Sequence, residues 1–183
     1  MSSTLTEQDG HVLLQTAREA IGARLALRSP RYRPPPAALS GRCGVFVTLK
    51  VNEQLRGCIG HITSTRALVE TIKEVALSSA FEDPRFSPLS AEEWDRVHLE
   101  VSVLSPFEPI TDVNRIEVGA HGILIRRGGH SGLLLPQVAA EQGWDRDAFL
   151  SHTCLKAGLP RDAWSWPNTR IEIFSAQVFA EKE

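Results

Sequence analysis

The chain has 183 residues, 42% of them apolar and 23% charged, with a formal net charge of −2; this suits one globular domain with a real core and argues against bulk disorder. The near-neutral balance supplies no global field for nucleic acid or an anionic membrane, and no apolar stretch approaches the ~20 residues that span a bilayer. Cys43, Cys58 and Cys154 are odd in number and widely spaced, and Met1 to Glu7 lack the basic patch and apolar run of a signal peptide, so the expected setting is a reducing cytoplasm.

Thr6, with Asp9 three residues on, caps a helix over 7–27 whose apolar face carries Leu13, Leu14, Ala17, Ala20, Ile21 and Leu25. Residues 28–42 hold Pro30, Pro34, Pro35 and Pro36 and read as an extended connecting arm inside a single domain, 1–183. Gly44 to Val51 is a strand, and Leu55 to Ile59 returns from a turn at 52–54 as its hairpin partner. Thr63, Ser64 or Thr65 caps the next helix, with Leu68, Val69, Ile72, Val75, Ala76 and Ala80 facing the core. A two-proline loop, Asp83-Pro-Arg-Phe-Ser-Pro88, precedes a short helix boxed by Ser90 and Glu93. Val97 to Leu104 alternates as a strand. Gly122 to Arg127 is another, and Arg127-Gly-Gly-His-Ser-Gly132 turns it back through Leu133 to Leu135. Pro136 opens a helix, and Asp145 caps a further one that ends at Gly158. Arg170 to Ala180 suits a closing strand. Adjacent strands mixed with intervening helices define an α+β fold with a largely antiparallel sheet flanked by helices.

Walker, dinucleotide, nucleophile-elbow and paired-histidine zinc patterns are all missing. The glycine-rich run at 127–132 joins two strands, whereas a phosphate loop leads into a helix. No motif calls for a cofactor or a metal. Cys58 and His61 could be drawn together with His152 and Cys154 as a metal site, but the spacing is loose and Cys154 falls on an apolar helix face, where core packing accounts for it.

Leu55-Arg-Gly-Cys-Ile-Gly60 stands apart. Glycine inside a strand is costly and marks a bulge or a close backbone approach; here Gly57 and Gly60 flank a cysteine. Strict alternation puts Leu55, Gly57 and Ile59 on one face and Arg56 with Cys58 on the other. A cation, or the N-terminus of the helix after Thr65, would favour the Cys58 thiolate. Arg56 and exposed amides could equally hold an anion. The plain alternative is that Cys58 is a small buried hydrophobe and Gly57 makes room for packing. His121 is a candidate general base for Cys58, or a satisfied turn histidine. Glu100 is an acid/base candidate, or a solvated residue on the polar side of its strand. Asp83 and Arg85 order a site beside the sheet, or simply pair in a stiff turn plugged by Phe86. Arg24, Arg28, Arg31, Arg33 and Arg42 around Tyr32 form a basic stretch for which a solvated arm is the better account than RNA contact.

The chain resembles the AMMECR family, whose bacterial and archaeal members are called AmmeMemoRadiSam system protein A. The resemblance rests on Cys43-Gly-Val-Phe-Val-Thr-Leu49, Leu55-Arg-Gly-Cys-Ile-Gly60, Ala80-Phe-Glu-Asp-Pro-Arg-Phe86, Val101-Ser-Val-Leu-Ser105, Val118-Gly-Ala-His-Gly-Ile123, Leu134-Leu-Pro-Gln-Val138 and Lys156-Ala-Gly158, in family order over roughly 10–180. It implies a main sheet flanked by helices with a smaller subdomain, and a genomic setting beside a Memo-like protein and a radical S-adenosylmethionine protein. Its implied candidate positions are Arg56, Gly57, Cys58 and Gly60 from the signature, Asp83, Arg85 and Phe86 from the proline loop, and His121; His61 falls just outside the signature. The expected function is an enzyme or catalytic subunit, with Cys58 and His121 doing chemistry and Arg56, Gly57, Gly60, Asp83 and Arg85 holding a small anionic substrate. The alternatives are a non-catalytic accessory to those two partners and, behind both, a nucleic-acid module using the arginine arm. No membrane partner is expected.

Overall fold

The structure is a computed structural model that describes residues 4–181; Met1 to Ser3, which carry part of the leader reading, lie outside the described residues. In chain order the described elements are helix α1 (Glu7–Leu25), strands β1 (Val45–Val51) and β2 (Gln54–His61), helices α2 (Leu68–Phe81) and α3 (Ala91–Trp94), strands β3 (Val97–Leu104), β4 (Glu108–Ile110), β5 (Gly122–Arg127) and β6 (His130–Leu134), helices α4 (Pro136–Gln142) and α5 (Arg146–Lys156), and strands β7 (Arg170–Phe174) and β8 (Ala176–Ala180). The α+β class holds, with strands in two four-stranded sheets, ordered β2-β1-β3-β8 and β4-β7-β5-β6. The single domain expected over 1–183 divides into two compact units: residues up to Leu104 with those from Gln177 onward, and Ser105–Ala176. No helix among the described residues is long and apolar enough to cross a membrane.

In the larger unit, α1 begins as expected, with Thr6 and Asp9 forming a reciprocal capping box. It stops at Leu25, before Leu27 adopts a left-handed φ of 49°. The arm is extended apart from a 3₁₀ turn at Ala37–Ser40. Glu19 anchors it, accepting from the Arg28 guanidinium and the Arg31 N–H, and the Lys73 ammonium lies 4.2 Å from the centre of the Tyr32 ring. Leu13, Ala17 and Ile21 of α1 and Ile72, Val75 and Ala76 of α2 bury one face of the sheet, meeting Val45, Val47, Leu49, Leu99 and Val101. One expectation fails here. No hydroxyl of 63–65 caps α2, which starts at Leu68 from an uncapped Ala67; Ser64 instead bonds Thr71 Oγ1 at 2.7 Å, and Gly41 C=O accepts the Leu68 N–H.

In the smaller unit, Ile123, Ile125, Ile171 and Ile173 of the sheet pack under Phe149, Leu150 and Cys154 of α5. The glycine-rich run makes the β5–β6 hairpin, turning at Gly128, φ 57°, and Gly129. Asp145 caps α5 through the Ala148 N–H, and Gly158, φ 73°, follows its end. The expected closing strand is two strands, β7 and β8, in different sheets. They separate at Ser175, whose N–H and C=O bond to the Ser105 hydroxyl and N–H instead of continuing either ladder.

Candidate functional site

The signature segment is β2, an outer strand of the larger unit's sheet. Its pairing with β1 runs regularly from Val45↔His61 to Leu49↔Gly57 and then slips, so that Arg56 is an extra residue, a β-bulge, before Lys50↔Leu55. A bulge breaks alternation. Leu55 therefore sits opposite Lys50, one row beyond the slip, and does not share the face that simple alternation gives it with Gly57. Arg56 leaves the ladder and reaches α3, where its Nε and Nη2 donate to Glu93 Oε1 and Oε2 at 2.8 and 3.0 Å. Glu93 is the capping-box acid, also accepting the Ser90 N–H. The Arg56 guanidinium, then this cap, holds the Glu93 carboxyl down at about 2. Arg56 is thus mated to a carboxylate rather than presented beside the sulfur.

The two signature glycines serve close packing. A Cβ at Gly57 would collide with the Ser79 carbonyl oxygen of α2, and one at Gly60 with the Phe46 ring and the Val45 carbonyl. The contact at Gly57 also fixes which end of α2 meets the signature. It is the C-terminal end, where Ser79 Oγ accepts the Ile59 N–H at 2.9 Å. The expected support for a thiolate from that helix's N-terminus is therefore absent, because the carbonyl end of the helix dipole lies there instead.

Along its outer edge, β2 has no strand partner among the described residues, and side chains take that place. Asp83, its side chain 2% exposed, accepts the Cys58 N–H on Oδ2 at 2.9 Å. Arg85 donates from Nη2 to the Cys58 carbonyl at 3.1 Å, and from Nε and Nη2 to Asp83 at 2.9 and 2.7 Å. Together they satisfy both polar groups that an unpaired edge residue would leave open. The Arg85 guanidinium, with the Cys58 and Arg85 N–H groups, holds the Asp83 carboxyl well below the usual carboxylate range. Arg85 itself is half exposed, at 54%. Phe86 lies between the two cations, its ring centre 5.9 Å from the Arg56 guanidinium carbon and 5.5 Å from that of Arg85.

Cys58 pairs with Thr48 across β1, and Thr48 pairs with Glu100 across β3, so the three occupy one cross-strand row. Opposed residues share a face, and this face is the one away from the α1–α2 core. The Thr48 hydroxyl donates to Cys58 Sγ at 3.2 Å. Glu100 accepts from Lys50 Nζ at 3.2 Å. Cys58 is half-buried.

Arg56, Gly57, Cys58, Gly60, Asp83 and Arg85 thus come together in the larger unit. His121 belongs to the smaller unit, where its Nδ1 accepts the Glu117 N–H at 3.1 Å, the geometry of a satisfied turn histidine. Of the four residues drawn together for a metal, His61 pairs with Glu74, His152 stacks on Trp144 with ring centres 3.9 Å apart, and Cys154 is fully buried, its thiol pushed up by desolvation. Among the described residues no group of three or more His, Cys, Asp or Glu is placed to hold a metal ion. The sequence reading missed Thr48 and the pairing role of Glu93. The Ser90–Glu93 box was visible, but nothing local linked Glu93 to a bulge residue 37 positions earlier.

The fold and this edge define a class: two antiparallel four-stranded sheets in separate compact units, with a glycine-flanked cysteine clamped by the Asp83–Arg85 pair of a proline loop. The AMMECR1 family profile matches residues 14–179, and the chain belongs to that family. It is 47% identical to Protein MK0488 of Methanopyrus kandleri, over 100% of this chain and 93% of that protein. It is 48% identical to Protein NEQ441 of Nanoarchaeum equitans, over 92% and 98%. The crystal structure of uncharacterized protein PH0010 from Pyrococcus horikoshii superimposes with a TM-score of 0.92 at 41% identity, covering 97% of this chain and 94% of that one.

Proposed function

We propose that the protein is an enzyme, or the catalytic subunit of a small system, acting through the Cys58 sulfur on a small anionic substrate. The observation that supports this reading is the row Cys58–Thr48–Glu100 on the polar face of the sheet, with the Cys58 backbone fixed by a buried carboxylate. A hydroxyl donor and a nearby guanidinium are surroundings that stabilise an anionic sulfur. Arg85, half exposed and already bonded to the Cys58 carbonyl, replaces Arg56 as the cation available to a substrate.

A second reading is favoured by the charge pairing: Arg56–Glu93, Arg85–Asp83 and Lys50–Glu100 each unite opposite charges, so these six side chains sum to neutral. In that reading the chain serves Memo-like and radical S-adenosylmethionine partners without chemistry of its own. Site-resolved alkylation with iodoacetamide between pH 6 and 9 separates the two. Rapid labelling of Cys58 persisting well below pH ~8, and slowed in Thr48→Val, supports a nucleophile. Labelling with the profile of an ordinary thiol removes it, and partner capture unchanged by Cys58→Ala then supports the accessory role.

A further inference from the structure

The net charge of −2 hides a segregation of charge in the smaller unit. Its sequence, 105–176, carries seven basic and eight acidic residues, yet several of the basic ones gather where β5 turns into β6 and β7 begins. Arg126 and Arg170 are directly opposed across β5 and β7. Like charges directly opposed in a ladder destabilise it, and only part of that cost is offset within the chain: Glu172 pairs with Arg126 at 3.2 Å. Arg170 is exposed and has no ion-pair partner among the described residues. Arg127, on the other face of the same strand, stacks 5.3 Å from the centre of the Trp166 ring and donates to the Thr169 hydroxyl and the Pro167 carbonyl. Trp166 remains 36% exposed, its indole N–H tied to Asp162, beside exposed Arg161. Against these cations stand Glu172 and Asp162.

We propose that this end of the smaller unit binds single-stranded nucleic acid crossing the end of the sheet, with Arg126 and Arg170 on phosphates at one face, Arg127 on a phosphate at the other, and the open side of Trp166 under a base. The patch is exposed rather than enclosed: the tip glycines, Gly128 and Gly129, have open space around their would-be side chains. Such a surface cannot wrap most of a small anion, as a small-molecule site does. A polyanion gains affinity there by summing several phosphate contacts. The exposed indole stacked against Arg127 favours a strand with unpaired bases over a featureless polyanion. The site is independent of the Cys58 reading, and neither depends on the other.

Fluorescence anisotropy of the full chain with a labelled oligouridylate of about 12 nucleotides, across 20 to 200 mM salt, tests it. The expected result is salt-dependent binding with a slope near −2 for about three phosphates. Arg170→Gln, an exposed change that leaves the core alone, flattens the slope by about 0.7, and Trp166→Ala weakens binding about tenfold. Arg33→Gln in the proline-rich arm leaves binding unchanged. Absence of salt-dependent binding, equal competition by inorganic polyphosphate at matched charge, or loss of binding in Arg33→Gln with Arg170→Gln unaffected would each overturn the proposal. Circular dichroism confirms folding of each variant.

Discussion

The two glycine-bearing hairpins differ in where glycine makes the turn. In β1–β2 the turn is made by Asn52 and Glu53, both left-handed with φ of 50° and 61°, and the glycines sit inside the returning strand, where backbone meets backbone. In β5–β6 the turn itself is glycine, Gly128 and Gly129, with empty space about both, while Gly122 and Gly132 inside the strands again meet close neighbours, the Phe174 ring and the Ala157 backbone, and the register is unbroken. The first hairpin is bulged, clamped along its edge by Asp83 and Arg85, and every cation near its cysteine is mated. The second is regular, and its Arg126 lies directly opposite Arg170 of the neighbouring β7. Glycine in a strand therefore marks what the molecule has fixed, and glycine in a turn leaves the neighbouring side chains available.

The contrast breaks most easily at the glycines. Gly57→Ala pushes a methyl into the Ser79 carbonyl, a backbone group that no rotamer change can move aside. It is expected to cost about 3 kcal/mol, the upper end for overpacking. Gly129→Ala meets nothing and needs no left-handed φ, so it stays within about 0.5 kcal/mol of wild type. Urea denaturation of the two variants measures both. Equal effects would mean that the signature glycines are not there for the approach of α2.

Next in size is the clamp. Asp83→Asn keeps an acceptor for the Cys58 N–H but removes the charge that binds Arg85, and is expected to cost about 2 kcal/mol at pH 7. This lies below the usual cost of breaking a buried pair because Arg85 is half exposed and can hydrate. The same loss has a pH signature. Asp83 and Glu93 are both depressed on folding, so the stability they supply is fully present above their unfolded values and is lost as pH falls. For Glu93 the window runs from about 4.5 down to about 2; for Asp83 it opens near the ordinary aspartate value and extends lower. Wild type should lose stability steeply through this range, and Asp83→Asn and Glu93→Gln should each flatten the limb. An unchanged acid limb in both variants would show that these pairs are equally formed in the unfolded chain.

What the sequence disclosed follows from how local the determining interactions are. Thr6, Ser90 and Asp145 cap within three residues, so their helices start where the pattern says. The start of α2 was misplaced because its N-terminus has no side-chain cap, only the distant Gly41 carbonyl. The β7–β8 break was hidden because both halves alternate and the cause, Ser105, is 70 residues away. β4 has three residues, one of them Pro109, and carries no readable period. At the site, Gly57 and Cys58 announced themselves through the cost of strand glycine. The bulge at Arg56 did not, since a register slip shows only when the partner strand is in place, and it decided which cation approaches the sulfur.

That slip supplies the smallest and most diagnostic change. Arg56→Lys preserves the charge and most of the stem, but an ammonium cannot make the two parallel bonds that the guanidinium gives Glu93. With Arg56 14% exposed and Glu93 28%, a loss of about 1 kcal/mol is expected, and it should vanish in a Glu93→Gln background, where there is no carboxylate to clamp. If Arg56 instead serves the sulfur directly, Arg56→Lys will change the rate of Cys58 alkylation as much as it changes stability. If it serves only to pin the bulge to α3, alkylation will follow Arg85→Gln and remain indifferent to Arg56→Lys. The double-mutant cycle and the labelling rate together decide whether the first hairpin's cations belong to the site or to its frame.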